Sequence, residues 1–389
     1  MKIKFLGKPI GSEDALAATL GLSTIALLDF IKNINSKYST FPLKKKDGNF
    51  RSISSPNHDL KLIQKRINRF IFGNVEYPDY LFGGIAGQDY VKNANRHAGA
   101  NSLITLDVRN FYPSIKTKVV EKIFLHFCKF PPQVAKLLTE LTTLNGSVPQ
   151  GACTSSHIAN LVFHDIEHRV VSDFKDKKLI YSRLLDDISI SSKKQLKKED
   201  VTSIIDKVAV FLKSKDFKIR SDKTRVTSIS NPENLMEITG LWLNRGHARA
   251  KTKDRHDIRS EMHRCKSNFT VSRTASEYHK EHESVSGRVA KLTYLNHTEA
   301  ASYRNTLRTI LPHYGETEVK RIKIFVRILE KTTKLDRGKF SYIDRYHKLD
   351  HKINILFRTE PSLAHSLRTR IRNCAPTSTK EIIIYGDIP

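Results

Sequence analysis

Residues 181–191 read YSRLLDDISIS, two adjacent carboxylates, Asp186 and Asp187, between apolar strand-like flanks. Like charges side by side repel, and a strand hairpin gives them little room to part. A multivalent cation makes the arrangement favourable. The fold must therefore bring a further ligand and a charged substrate to this hairpin. Asp107, which closes the apolar run in LITLDVRNFYPSI, is the candidate third ligand. Strands ending together in one sheet bring the three carboxylates to one point. Hard oxygen donors of this kind suit Mg²⁺, which keeps water positions open for phosphate groups. Two such ions form the clamp of in-line phosphoryl transfer.

An isolated Asp-Asp pair is ordinarily a solvated turn, so the rest of the chain must supply the context. Lys plus Arg number 67 against 40 Asp plus Glu, a formal net charge of +27. That imbalance is the electrostatic footprint of a polyanion binder. A hydrophobic content of 39% suits a folded chain of cooperating subdomains and excludes a disordered one. The four cysteines and sixteen histidines show no metal-binding or redox spacing, and we expect reduced thiols in a cytoplasmic protein. The apolar run 15–28 is too short for a membrane span and reads as a buried helix, so no membrane partner is expected.

Asp47-Gly48 in FPLKKKDGNFRSISSP signals a hairpin. Residues 58–73 carry Leu60, Ile63, Ile67, Phe70 and Ile71 at helical spacing. Residues 81–99 are glycine-punctuated and read as irregular. Residues 113–127 read as one helix, and Ile158, Val162, Ile166 and Val170 stripe another after the break at Val148-Pro149-Gln150-Gly151. Residues 201–213 read as a helix, and 217–228 as strand and loop. From 245 to 273 basic residues crowd together, which marks a subdomain boundary. Beyond it the chain reads as helical to about residue 348, and IIIYGDIP at the C-terminus reads as a strand.

The order of these motifs resembles that of the reverse transcriptases. LDVRNFYPSI looks like their first palm motif, VPQGACTSSHIAN like the motif usually written QGxxxSP, and RLLDD stands in the place of YxDD. KKKDGNFRSISSPNHDLKLIQKRI resembles their fingers motif, and IRSDKT the segment with a lysine that protonates pyrophosphate. The resemblance runs from about residue 20 to 244, more weakly to 296. Within the family the bacterial retron-type enzymes fit best. NANRH (93–97) matches their NAxxH element, ITGLWLN (238–244) is close to their VTG element, and SGRVAKLTYLN (286–296) is similar to their thumb. Three positions depart from the pattern: Leu184 replaces the YxDD tyrosine, Ser156 the usual proline, and Ile238 the VTG valine.

The resemblance implies an α+β right-hand polymerase. An N-terminal helical segment (1–40) and fingers (41–100) precede a palm (101–245) built of antiparallel sheet and helices. A helical thumb (246–350) and a C-terminal extension (351–389) follow. It implies an RNA-directed DNA polymerase with two Mg²⁺ ions held by Asp107, Asp186 and Asp187, Asp187 being more peripheral and the Val108 carbonyl assisting. Lys223 stands as general acid. Arg51, Lys45 and Lys46 stand where the family holds the triphosphate. Tyr112 stands at the steric gate that selects dNTPs, and Gln150 and Gly151 line the nucleotide pocket. Arg245, Arg249, Lys251, Lys253 and Arg255 should track a nucleic-acid backbone with strong salt dependence, and Trp242 grips the primer end. Asn93 and His97 read as structural hydrogen-bonding residues.

For a retron the implied partners are a structured noncoding RNA, its DNA product and an effector protein. The RNA serves as template and primer, synthesis starts from a guanosine 2′-OH, and the branched RNA–DNA acts in phage defence. Two other readings compete: a defence reverse transcriptase making untemplated or protein-primed DNA, and an RNA-binding scaffold with a decayed site. A group II intron maturase fits less well, because no maturase-like or endonuclease segment follows the thumb.

Overall fold

A computed structural model describes residues 1–45, 48–231 and 235–386. The chain forms two compact units, Met1–Ala248 and Arg249–Pro389.

The first unit is built around a four-stranded antiparallel sheet. Its strand order is Leu179–Leu184, Asp187–Ser192, Ser102–Asp107, Arg225–Ser228. Ser102–Asp107 is central and nearly all buried, with Leu103, Ile104 and Leu106 at 2% exposure or less. That burial explains why its sequence reads as a continuous apolar run. Each such side chain contributes about 1.5–3 kcal/mol by leaving water. Helices pack around the sheet. Among them, Ser155–Leu161 and Glu167–Asp176 supply buried residues from Ser155 to Phe174.

A second hairpin pairs Tyr38–Lys44 with Phe50–Pro56 in register, from Tyr38↔Pro56 to Lys44↔Phe50. Helix His58–Phe70 follows, capped by the Asn57 side chain on the Leu60 N–H; it buries Leu60, Ile63 and Ile67 of the stripe read from the sequence, together with Gln64, while Phe70 is half-buried. Gln64 ties this region to the body of the unit. Its Nε2 donates to Leu141 O at 3.1 Å and to the Tyr38 hydroxyl at 2.8 Å, and its Oε1 accepts from the Cys153 N–H at 3.1 Å.

The second unit is helical. Helices Thr252–Val271, Ser276–Tyr294 and Ala300–Thr309 precede a bundle of Glu316–Glu330, Phe340–Leu356 and Pro361–Arg372. The bundle closes on Val319, Ile322 and Val326 packed with Ile353, Leu356, Leu367 and Ile371. Among the described residues no single helix is long and apolar enough to cross a membrane.

Several local expectations are corrected. The apolar run at 15–28 is two helices, Glu13–Thr19 and Thr24–Lys32, each capped by a serine and separated at Gly21, whose φ is +66°. Residues 81–99 contain the helix Tyr90–Arg96, started by the Asp89 side chain on the Val91 and Lys92 N–H groups. Residues 113–127 break at Ile115, whose carbonyl accepts from Val148, and so form Phe111–Ser114, Thr117–Lys122 and a wide turn at Ile123–Phe127. The stripe from Ile158 to Val170 spans two helices. The IIIY run lies in helix Lys380–Tyr385, capped by Thr379, and not in a strand. Residues 387–389 lie outside the described residues.

Candidate active site

The register of the central sheet assembles the acidic residues. Asp107 pairs directly with Asp187, and Leu184 with Asp187, which leaves Leu185-Asp186 as a two-residue turn. The carbonyl of Asp186 accepts from Val108 N–H at 3.0 Å, so the turn is stitched to the end of the Asp107 strand. Asp107 is 8% exposed, Asp186 half-buried and Asp187 exposed. Lys223, on a short turn Ser221–Lys223, donates from Nζ to Asp107 Oδ1 at 3.1 Å and Oδ2 at 3.4 Å.

The electrostatics are those of a crowded anionic site. Lost hydration raises the Asp186 carboxyl, the Asp107 charge adds to this, and Lys223 and Arg51 offset part of it. Lost hydration and the charges of Asp186 and Asp107 raise Asp187 to about 7. Asp187 is exposed by area, and the charge repulsion is the part that an open side chain retains. Among the described residues no three Asp, Glu, His or Cys side chains form a closed metal cage. The donor set nevertheless fits a hard divalent cation: oxygen ligands, mutually repelling, on two adjoining strand ends.

Arg51 is on the Phe50–Pro56 strand, exposed, and its charge is felt at Asp186. Tyr112 is half-buried. Burial and then the Asp186 charge raise its phenol to about 12, so it stays neutral. Gln150 O accepts from the Ser54 N–H at 2.9 Å, which joins the Pro149-Gln150-Gly151 turn to the Arg51 strand. Gly151 has φ +125°, and a Cβ there would lie 2.9 Å from Ser54 O and 3.0 Å from Ile53 Cγ2, so only glycine fits. Lys45 sits at the hairpin tip; Lys46 and Asp47 lie outside the described residues.

A cleft of about 280 Å³ opens beside the acidic residues. It is lined by Asp107, Asp187, Lys223, Arg225 and the Glu237–Gly240 stretch. Trp242 pairs with Glu237 across that small hairpin but does not line the cleft. Arg245 is exposed in the first unit. Arg249, Lys251, Lys253 and Arg255 belong to the second unit. Of these Lys253 is exposed, whereas Arg255 is half-buried and donates to the Thr252 hydroxyl at 2.9 Å. The basic run is thus divided between the two units.

His97 is fully buried and bridges two strands, Nδ1 with the Ser191 hydroxyl and Nε2 with the Ser182 hydroxyl, each at 2.7 Å. Two residues that the sequence reading passed over stand beneath the turn. Arg183 and Glu167 form a fully buried ion pair at 2.6 Å. Burial works against the Arg183 charge, and the Glu167 carboxylate more than reverses it, so the guanidinium is held charged. The available signal was an arginine inside an otherwise apolar strand, a position where a charge needs a buried partner.

Residues 43–278 match the family described as reverse transcriptase (RNA-dependent DNA polymerase). The Retron Se72 reverse transcriptase of Salmonella heidelberg (strain 579083-10) is 36% identical over 373 residues, 95% of this chain and 98% of that protein. The Retron Ec48 reverse transcriptase of Escherichia coli is 29% identical over 90% of this chain and 89% of its own. The Retron Ec86 reverse transcriptase, also of Escherichia coli, is 26% identical over 67% and 81%.

Proposed function

The chain belongs to the retron-type reverse transcriptases, and from that premise we propose that it copies a partner noncoding RNA, used as both template and primer, into DNA that stays joined to the RNA. The reaction is attack of a primer hydroxyl on the α-phosphate of a dNTP, releasing pyrophosphate. The observation that carries this reading is the register pairing of Asp107 with Asp187, Asp186 standing in the adjoining two-residue turn.

Enzymes of this family work with divalent metal ions. Here Asp107, Asp186 and Asp187 would hold two Mg²⁺ ions, which activate the attacking hydroxyl and stabilise the leaving pyrophosphate. The protein's own groups do the rest. Arg51, with Lys45 at the tip of the same hairpin, receives the triphosphate. Tyr112 blocks a ribose 2′-OH. Gln150 and Gly151 shape the sugar pocket where the hairpin meets the palm. Lys223 supplies a proton to the departing pyrophosphate. The cleft beside Asp107 and Asp187 takes the primer end. Arg245 in the first unit, and Arg249, Lys251 and Lys253 in the second, contact the nucleic-acid backbone. A branched product made in antiphage defence, alongside an effector protein, completes the reading.

The test is to purify the chain with its copurified RNA, add labelled dNTPs and Mg²⁺, and sequence the product. One structured RNA joined to short DNA is expected, and the Asp186→Asn, Asp187→Asn double variant should make none. DNA attached to protein, or full incorporation by the double variant, would overturn the reading.

A further inference from the structure

Arg183 is among the largest fully buried side chains of the protein. Each of its five N–H groups has a partner. Nε donates to Glu167 Oε1 at 2.6 Å and Nη2 to Glu167 Oε2 at 2.8 Å. Nη2 also reaches Asn160 O at 3.1 Å, and Nη1 reaches Ala159 O at 3.2 Å and Leu185 O at 3.1 Å. The guanidinium lies over the Phe163 ring, 5.1 Å from its centroid. Glu167 is oriented in turn by the Tyr181 hydroxyl at 2.8 Å.

One of those bonds goes to the acidic turn itself. Leu185 has φ +59°, a left-handed backbone that a leucine adopts only when its surroundings impose it. Its side chain packs on Gly83, where an added Cβ would lie 2.4 Å from Leu185 Cγ. Gly83 is fixed by Asn160 Nδ2, which donates to its carbonyl at 2.6 Å. Both carbonyls of the two-residue turn are therefore held: Leu185 by Arg183 and Asp186 by Val108.

A buried ion pair by itself is weak grounds for a role, because well-packed apolar residues often replace one without loss. What an apolar residue cannot replace is a donor aimed at the Leu185 carbonyl. Lysine has three donors and no planar fork, so it cannot keep the five bonds.

We propose that Arg183 is a positioning residue for catalysis: anchored by Glu167, it fixes the left-handed Leu185 and so aims Asp186 and Asp187 at Asp107. The inference rests on the assignment of this turn as the reaction centre, and the experiment separates the two.

The full-length Arg183→Lys variant, checked for folding by near-ultraviolet circular dichroism, is compared with wild type in two measurements. The first is binding of Mn²⁺ alone by electron paramagnetic resonance. The second is single-nucleotide incorporation on a primed RNA. The expected result is Mn²⁺ binding weakened several-fold and kcat lowered about tenfold or more, with KM for dNTP changed less than about twofold. Tyr181→Phe, which loses only the hydroxyl that orients Glu167, gives the same pattern at smaller scale and serves if the lysine variant does not fold. Unchanged Mn²⁺ binding and kcat in a folded variant, with only its melting temperature lowered, would sink the proposal. An unchanged rate in the Asp186→Asn, Asp187→Asn variant would sink the underlying assignment instead.

Discussion

Lys223 Nζ sits 3.1 Å from Asp107 Oδ1, joining a residue on the sheet's outer turn to one on its central strand, 116 positions apart in sequence. The lysine is half exposed and the aspartate nearly closed off, at 51% and 11% of their side chains. Water at the half-exposed lysine screens the pair, so removing Lys223 should cost little stability. Its cost falls on the reaction. Lys223→Met should lower kcat about 100-fold, the usual scale for a lost general acid, with Tm shifted by no more than a degree or two. Single-turnover incorporation checks this; an undiminished rate would remove Lys223 from the chemistry.

The gate proposed at Tyr112 carries its own prediction. Tyr112 is half-buried near Asp186 and neutral at working pH. Tyr112→Val opens space without adding charge. Discrimination between dNTP and rNTP should then fall by about 10–100-fold, through a better kcat/KM for the ribonucleotide and little change for the deoxynucleotide. Competing incorporation of the two on one template measures it. Unaltered discrimination would show that another residue meets the 2′-OH.

Gly151 joins local backbone demand to the nucleotide pocket proposed at this turn. Gly151→Ala forces a side chain onto a φ of +125° and against the Ser54 carbonyl at 2.9 Å. Either the turn or the Arg51 strand must move. We expect a stability loss of about 1–3 kcal/mol and a raised KM for dNTP with kcat less affected. Urea unfolding and steady-state kinetics together check it; wild-type values in both would mean that the turn relaxes freely.

Much of the site was legible in the sequence because its demands are local. Two adjacent carboxylates between apolar runs need a strand turn, and Asp107 ends a run too apolar to be anything but a buried strand. The break at Val148-Pro149-Gln150-Gly151 was legible as well, but the φ of +125° that reserves Gly151 for glycine was not. Arg183 and Glu167 were not legible, because their pairing depends on where a helix begins relative to a strand sixteen residues on. Nothing in either segment alone specifies that meeting. The C-terminal helix Lys380–Tyr385 was misread for the opposite reason: a run of three isoleucines has strand propensity, and the Thr379 cap together with the packing of Ile384 overrides it. The boundary read from the sequence lies at 245/246, where the basic run begins, and the two compact units divide at Ala248, a few residues on.

The last prediction concerns acid. Burial, with the Arg96 charge adding to it, lowers His97 to about 3, and the ring stays neutral between Ser182 and Ser191. The unfolded chain takes up a proton near pH 6.5 and the folded chain does not until about pH 3. Between those values the unfolded state binds more protons, so stability falls as pH falls through this window. For one such histidine the slope is about 1.4 kcal/mol per pH unit. His157, lowered to about 4 by burial, adds to the same limb above its own value. His97→Gln retains hydrogen-bonding capacity without a titrating ring. It should cost stability at neutral pH and yet flatten the decline between pH 6 and 4 (measured by urea unfolding) by about 1 kcal/mol per unit. An acid limb as steep as wild type would mean that His97 titrates in the folded protein and that its two serine partners do not hold it neutral.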